Sequence, residues 1–343
     1  VKRRVVLDLQ STRPAWRIPS ATVTAVRRAF GRGFDVVDVQ APASSDGDGG
    51  SGSPEAVAAA SGAEVYVGWG VPPDVARAAR GALRWAHSGS AGVGASLTPE
   101  FLATGARLTN SRGVNAEPMA DWVIAAIGYC LRGFHSAALA QRERRWAKDA
   151  FTDGQVAVHE FAGTRLGLLG LGGIGAAVAR RAVALGMEVR AVRRHPGRQP
   201  PRGVRHVGGP GRAALVAMAR RVDILAIVAP YTAATKGIVD DAVLAALPRG
   251  AFVINVARGA LVDEGALLAR LDDGSLGGCV LDVFADEPLP ASHPLWTHPR
   301  VFLTPHVSAV SERFWERETA LLVDNIRRYR SGRRLVNLVD VRA

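Results

Sequence analysis

The sequence predicts an α/β protein of two parallel-sheet domains, and three observations carry that prediction. A length of 343 residues suffices for two domains that each bury a core, and 48% hydrophobic against 22% charged residues is the balance of a globular chain. The first half alternates short apolar strand-like runs with helical runs. The middle carries a strand, a glycine-rich turn, a helix and a second strand in succession, which is a βαβ unit.

In the first half, strands are expected at Val5–Leu9, Val36–Val39, Val65–Gly68, Leu83–Ala86 and Arg107–Thr109. Helices are expected between them, around Ala21–Phe30, Pro54–Ala60, Pro72–Arg80 and Pro99–Thr104. Residues 41–54 are too rich in Gly, Ser and Asp to build a core and read as a mobile surface loop. One long amphipathic helix is expected over Glu117–Gln141. Its apolar face (Met119, Val123, Ile127, Leu131) looks too extensive for one small domain to cover, which predicts a homodimer; the alternative is that the face packs inside the subunit. Further strands follow at Asp223–Val228, Ala251–Val256, Gly278–Val283 and Val301–Leu303, and a helix over Glu312–Tyr329 closes the chain.

The central βαβ unit carries the sharpest chemistry. Strand Leu166–Leu169 runs into Gly170-x-Gly172-x-x-Gly175, with Gly173 and Ile174 inside the turn. A helix with Ile174, Val178 and Leu185 on its apolar side follows, Gly186 stops it, and strand Glu188–Val192 ends on Arg193-Arg194. Gly170 permits the tight turn, Gly172 lets backbone approach a pyrophosphate, and Gly175 lets helix and strand pack closely. Free N–H groups and the helix dipole then face the phosphates. Sites for NAD place Asp or Glu at the end of the second strand; Arg193 and Arg194 stand there instead, with His195 and Arg198 nearby. Guanidinium groups bind a 2′-phosphate in a forked geometry, so NADP is the preferred cofactor, with NAD as the alternative.

Net charge is +12, which raises nucleic acid as a partner, but the distribution argues against it. Lysine occurs only at Lys2, Lys148 and Lys236, the arginines are scattered, and there is no long basic run. The longest apolar stretches, such as 123–131, are too short to span a bilayer, and no charged-then-apolar leader opens the chain, so the expectation is a cytoplasmic protein without membrane attachment. Cys130 and Cys279 read as buried free thiols. No Cys/His cluster has metal spacing, and His293 and His298 in a Pro-rich loop are expected to be exposed rather than ligating.

Three further segments resemble the D-isomer-specific 2-hydroxyacid dehydrogenase family. They are Asn255-Val-Ala-Arg258-Gly-Ala-Leu-Val-Asp263, Leu281-Asp282-Val-Phe-Ala-Asp-Glu287-Pro-Leu-Pro290 and Thr304-Pro-His306-Val-Ser-Ala. The likeness extends upstream to His87-Ser-Gly-Ser-Ala-Gly92-Val and Asn110-Ser-Arg-Gly113-Val, so it covers almost the whole chain. It implies two Rossmann-like or flavodoxin-like parallel-sheet domains. Residues 1–113 and 309–343 would form the substrate-binding domain, and 114–308 an inserted dinucleotide-binding domain, with the final helix folded back on the first domain and a cleft between the two.

The resemblance implies roles by position. Arg258 binds the substrate carboxylate and polarises the 2-oxo group, His306 is the acid/base, and Glu287 pairs with its imidazole. Chemistry agrees: negative charge developing on the oxygen needs a positioned acid, and a carboxylate beside His favours the imidazolium. Ala91, Gly92 and Val93 would offer backbone N–H groups to the substrate carboxylate. Asp282, with backbone at Val256 and Ala257, would meet the nicotinamide carboxamide, and Ala229, Pro230 and Thr235 would line the cofactor path.

Arg193, and the run Leu83-Arg-Trp-Ala-His87-Ser, are similar to the glyoxylate/hydroxypyruvate reductase branch. The formate dehydrogenase relatives use Gln where Glu287 stands. The expected activity is NAD(P)H-dependent reduction of a small 2-oxoacid to the D-2-hydroxyacid. Two alternatives stay open: an NAD-linked biosynthetic dehydrogenase of a phosphoglycerate-like substrate, and a non-catalytic dinucleotide sensor or corepressor on the same fold. Pocket shape near Trp69, Trp146 and Trp315 would choose the substrate, and Trp146 would project toward a pocket, its own or a partner subunit's, or serve as a core or interface residue.

Overall fold

The run Val5-Val6-Leu7 leaves no polar alternation, as a strand buried on both faces requires, and it lies in an interior strand of the first sheet. The computed structural model describes residues 2–45 and 47–341. The chain folds as two compact units, Val1–Asn115 with Val310–Ala343, and Ala116–Ala309 between them in sequence. The expected divisions after 113 and 308 thus fall after 115 and 309; Val1, Arg342 and Ala343, which the first expected domain also includes, lie outside the described residues.

The first unit alternates β1 (Arg3–Asp8), α1 (Ser20–Phe30), β2 (Phe34–Asp38), α2 (Pro54–Ala60), β3 (Ala63–Gly68), α3 (Pro73–Ala78), β4 (Trp85–Ser88), α4 (Pro99–Leu102) and β5 (Arg107–Asn110). All five strands are parallel, in the order β2-β1-β3-β4-β5. Period-two alternation sends Val5 and Leu7 to one core with Val23, Val26 and Phe30 of α1, and Val6 to the other with Ala56, Val75 and Phe101. The last helix of the chain (Phe314–Arg330) adds Leu322 and Ile326 to the first of these cores. Truncating a fully buried residue such as Leu7 to Ala would cost about 2–5 kcal/mol.

The second unit opens with α5 (Ala116–Leu131), α6 (Phe134–Arg142) and α7 (Lys148–Thr152). Next come β6 (Arg165–Leu169), α8 (Gly173–Ala184), β7 (Glu188–Val192), β8 (Val204–Gly208), α9 (Arg212–Ala219) and β9 (Ile224–Ile227). The unit ends with α10 (Asp241–Ala245), β10 (Ala251–Asn255), α11 (Glu264–Asp272), β11 (Leu276–Leu281) and β12 (Val301–Leu303). The closing helix is therefore α12. Seven parallel strands run β12-β11-β10-β9-β6-β7-β8, so the strand order reverses between β6 and β9. Ligands of such sheets bind beyond the carboxyl ends of the strands at that reversal.

Several expectations are corrected. The single helix over Glu117–Gln141 is two helices meeting at 71°, because Gly133 takes a left-handed conformation (φ 65°) and ends the first. The apolar face of α5 does not await a partner: Val123, Ile127 and Leu131 are buried and Met119 packs against the same core, which includes Val178 of α8 and Ile254 of β10. Leu185 is not on the apolar side of α8; it caps the helix and is 41% exposed. Strand β8 was not expected at all, since Val204–Gly208 is only half-buried and carries Arg205 and His206. The segment 41–54 is irregular but pinned: Asp48 accepts hydrogen bonds from Ala95 N–H (2.6 Å), Ser96 N–H and Ser96 Oγ–H, and Ser44 Oγ donates to Ser51 O (2.7 Å). Asp46, within that segment, lies outside the described residues.

Candidate active site

Six strand ends of the second unit gather the residues of interest on one edge of its sheet. At the end of β6, Gly170 has φ 106°, and a Cβ there would stand 2.8 Å from the backbone of Ala229, which follows β9. A Cβ on Gly175 would meet Gly170 O at 2.2 Å, so the first turn of α8 packs against the strand end only because that residue is glycine. A Cβ on Gly172 would meet nothing within 4 Å; the backbone there faces open space. The N–H groups of Gly173 and Ile174 stand in the first turn of α8, where no intrahelical acceptor exists. Beside them, Thr235 Oγ donates to Pro230 O (2.8 Å) and accepts from Thr232 N–H (2.8 Å), closing the loop that begins at Ala229.

Past β7, Arg193 N–H donates to Gly208 O (3.2 Å) and its guanidinium to Pro196 O (3.3 Å). Its Nε is buried without a partner, and among the described residues neither Arg193 nor Arg194 meets a carboxylate. A cation left unneutralised in this position suits an anionic ligand.

Past β10, buried Asn255 folds the turn that carries Arg258: its Nδ2 donates to Arg258 O (3.0 Å) and its Oδ1 accepts from Ala257 N–H (3.0 Å). Val256 and Ala257 are buried within that turn, whereas Arg258 is exposed and donates one bond to Ala257 O (2.6 Å). A Cβ on Gly259 would stand 1.9 Å from the carbonyl carbon of Phe284, so this turn lies directly against the loop leaving β11.

That loop presents Glu287. Its Oε1 accepts from Phe284 N–H (3.0 Å), and its Oε2 lies 2.7 Å from His306 Nδ1. His306 follows β12 with a left-handed backbone (φ 55°), an uncommon state for a residue with a Cβ. Asp282, fully buried at the end of β11, enforces it. The Asp282 carboxylate accepts from Thr304 Oγ–H (2.5 Å), Val307 N–H (2.8 Å) and Ser308 N–H (2.9 Å), while its backbone carbonyl accepts from His306 N–H (2.9 Å). Asp282 thus buttresses the His306 turn at the same strand end where the cofactor is expected. Sequence reasoning included Asn255 and Thr304 in its motifs but gave them no role, although a polar residue at the end of a strand was the available signal.

In the first unit, Ala91 and Gly92 are exposed in the loop after β4, and Val93 is half-buried against the core beneath it. Ser111 N–H donates to Ser90 O (3.1 Å) and Asn110 Nδ2 to Ala91 O (2.7 Å). In a trans peptide the N–H points opposite to the C=O, so Ala91 and Gly92 N–H are turned away from β5 toward solvent. Trp69 and Trp315 belong to an aromatic group with Trp16 and Phe314, whereas Trp146 is 91% exposed in the second unit.

A cavity of about 860 Å³ opens on the opposite edge of the second sheet, between α6 and the starts of β9, β10 and β11, lined among others by His135, Leu139, Phe252 and Arg300. None of the residues named above as cofactor or catalytic candidates lines it. Burial and the charge of Arg300 hold the His135 imidazole below the usual range. His293 and His298 are partly buried rather than exposed; each accepts a backbone N–H two residues ahead (Leu295, 3.3 Å; Arg300, 3.1 Å). Cys130 and Cys279 are free and buried, and burial pushes both thiols up, Cys130 to about 12. Among the described residues no single helix is long and apolar enough to cross a membrane.

Comparison with known proteins places this geometry in context. Residues 124–308 match the family model described as D-isomer specific 2-hydroxyacid dehydrogenase, NAD binding domain. A glyoxylate/hydroxypyruvate reductase A from Yersinia enterocolitica is 33% identical over 279 residues, 79% of this chain and 84% of the relative. A D-isomer specific 2-hydroxyacid dehydrogenase from Xanthobacter autotrophicus Py2, crystallised with NADPH and MES, matches with TM-score 0.79 at 31% identity, over 100% of this chain and 99% of that one. An NADPH-dependent glyoxylate/hydroxypyruvate reductase from Sinorhizobium meliloti, in complex with NADP and sulfate, matches with TM-score 0.75 at 28% identity, over 100% and 99% of the two chains.

Proposed function

This chain belongs to the D-isomer specific 2-hydroxyacid dehydrogenase family, and from that premise we propose that it reduces a small 2-oxoacid of the glyoxylate or hydroxypyruvate type to the D-2-hydroxyacid, with NADPH preferred and NADH as the alternative. The observation that carries the proposal is the His306–Glu287 pair at 2.7 Å on the same sheet edge as the glycine turn.

The site residues fit a dinucleotide: an open backbone at Gly172, N–H groups of Gly173 and Ile174 in the first helical turn, and the Arg193 guanidinium, whose Nε is without a partner. When bound, the nicotinamide supplies the hydride that reaches C2 of the substrate. Gly170 to Gly175 would hold the pyrophosphate, Ala229, Pro230 and Thr235 the path beside it, and Val256 and Ala257 the backbone nearest the nicotinamide. Arg193 and Arg194 would read the 2′-phosphate.

Charge that develops on the substrate oxygen is met by a proton from His306 Nε2, while Glu287 accepts from Nδ1 and fixes the tautomer. Arg258 binds the carboxylate and polarises the 2-oxo group, and Ala91, Gly92 and Val93 supply carboxylate-binding N–H groups from the first unit. On this reading the first unit is the substrate-binding domain and the second the dinucleotide-binding domain.

The protein is proposed to be a cytoplasmic homodimer. Support for association comes from α6 and the segment after it, which expose Phe134, Leu139, Trp146 and Val158. The deciding experiment measures reduction of glyoxylate, hydroxypyruvate, pyruvate and phenylpyruvate, each with both cofactors. Turnover favouring NADPH supports the proposal; NADPH binding without turnover on any of them overturns it in favour of a dinucleotide sensor.

A further inference from the structure

Beneath the Ala91–Val93 loop lies a buried polar chain to which the chemistry above assigns nothing. His87 of β4 and Glu318 of α12 are both 0% exposed, and His87 Nε2 lies 2.9 Å from Glu318 Oε1 and 3.2 Å from Ser111 Oγ. On the other side, His87 Nδ1 lies 2.8 Å from Thr109 Oγ1, which accepts from Trp85 Nε1–H (2.9 Å).

Donor counting fixes the protons along this chain. Trp85 Nε1 can only donate, so it occupies a lone pair of Thr109 Oγ1. The hydroxyl hydrogen of Thr109 then has Nδ1 at 2.8 Å or Ala86 O at a marginal 3.5 Å, and it goes to Nδ1. Nε2 must therefore carry the imidazole hydrogen, shared between Glu318 Oε1 and Ser111 Oγ. Ser111 Oγ is in turn free to donate to Ser88 O (2.9 Å), and Ser111 N–H donates to Ser90 O (3.1 Å). The chain thus runs from Trp85 through Thr109 and His87 to Ser111, and ends on the carbonyls of the loop.

We propose that His87 is a positioning residue for substrate-carboxylate binding: its Nε2–H, anchored on Glu318, orients the Ser111 hydroxyl, whose bond to Ser88 O sets where the Ser111 main-chain N–H meets Ser90 O, and that bond turns the Ser90–Ala91 peptide so that its own N–H faces the ligand. This rests on the proposal that the loop binds the carboxylate. Stability alone is a poor account of the arrangement. Glu318 Oε2 is buried without a partner, and a buried polar pair with an orphan oxygen is worth little against a well-packed apolar one. What the pair does supply is direction, since it ties the strand that leads into the loop to a helix more than two hundred residues away in sequence.

The test compares His87→Gln with His87→Asn in the NADPH-bound enzyme, using oxamate as the carboxylate probe and glyoxylate as substrate. Gln places an amide N–H where Nε2 stands and keeps the bonds to Ser111 and Glu318; Asn mimics only the Nδ1 side. His87→Asn is expected to weaken oxamate binding and raise KM for glyoxylate about ten-fold, with kcat and NADPH affinity within about two-fold, and His87→Gln to restore most of the loss. A purely structural role would lower kcat and NADPH affinity along with oxamate affinity and would not split KM from kcat. Ser111→Ala, a small change that keeps the fold, is expected to reproduce the KM effect in a chain whose His87 is intact. Equal behaviour of the Gln and Asn variants, or a normal KM in Ser111→Ala, overturns the inference while leaving the carboxylate loop in place. A wild-type enzyme that binds no oxamate and reduces no 2-oxoacid overturns the loop's proposed role, and the inference falls with it.

Discussion

Glu287 Oε2 and His306 Nδ1 are 2.7 Å apart, and each partner is held from behind by backbone of the β11 strand end. Glu287 is fixed through Phe284 N–H, and His306 through the carbonyl of Asp282. The pair therefore moves with one strand terminus and not as two independent loops, which is what a proton donor aimed at a fixed atom needs.

Replacing His306 by Asn is expected to lower turnover about a hundred- to ten-thousand-fold while NADPH binding is retained. Asn tolerates the left-handed backbone at this position, so the turn itself survives the change. Steady-state kinetics alongside cofactor fluorescence titration checks it. Near-native turnover would assign the acid elsewhere.

Arg258→Ala is expected to raise KM for the 2-oxoacid and lower kcat together, by about a hundred-fold in kcat/KM. Arg258→Lys should recover only part, because an ammonium cannot reproduce the two-pronged contact. Full recovery by Lys would reduce the role to simple charge.

Neutralising Arg193 and Arg194 together is expected to raise KM for NADPH about ten- to a hundred-fold and to leave NADH within about two-fold. Parallel titrations with both cofactors measure this. An equal loss for both would remove the two arginines from 2′-phosphate reading.

How much of this was legible in sequence differs by element. A strand buried on both faces announces itself as an unbroken apolar run, so β6 was visible to within a residue. β8 was not, because a half-buried edge strand carrying Arg and His has no such signature. The break at Gly133 was hidden because the apolar pattern continues through it, and only the backbone angle distinguishes a bend from a continuous helix. Arg258, Glu287 and His306 were chosen by motif. The bonds of Asp282 to residues more than twenty positions away depend on strand adjacency, which a linear reading does not contain.

Stability should depend on pH through Glu64. The Arg3 guanidinium, donating through Nε at 2.6 Å, holds the Glu64 carboxyl below its usual range, with a further hydrogen bond from Tyr329 OH. A carboxyl lowered in the folded state contributes stability above its unfolded pKa and loses it as pH falls through the folded value. Glu64→Gln is therefore expected to lower Tm at pH 7 by about 2–4 °C, for a contribution of about 1 kcal/mol, and the gap should close on acidification below about 4. Calorimetry at several pH values tests it; a gap that widens in acid would refute the assignment.

Light scattering at dilute concentration is expected to give twice the 36.1 kDa chain mass. Trp146→Ala should weaken the dimer at least thirty-fold, about 2 kcal/mol, as loss of an exposed aromatic anchor does. A wild-type mass of one chain would end the dimer proposal.

The Ala91–Gly92 peptides carry a consequence for how such proteins are compared. A receptor made of main-chain N–H groups has no side-chain alphabet: every residue except proline offers the same donor. If the loop binds a carboxylate as proposed, the heritable information for that receptor is written about twenty positions downstream, in Asn110 and Ser111, whose bonds hold the two peptides. Change at exposed Ala91 should be nearly silent, while an apolar change at Asn110 would release the Ala91 carbonyl and, on the proposed reading, turn the receptor away without altering a residue that touches the ligand.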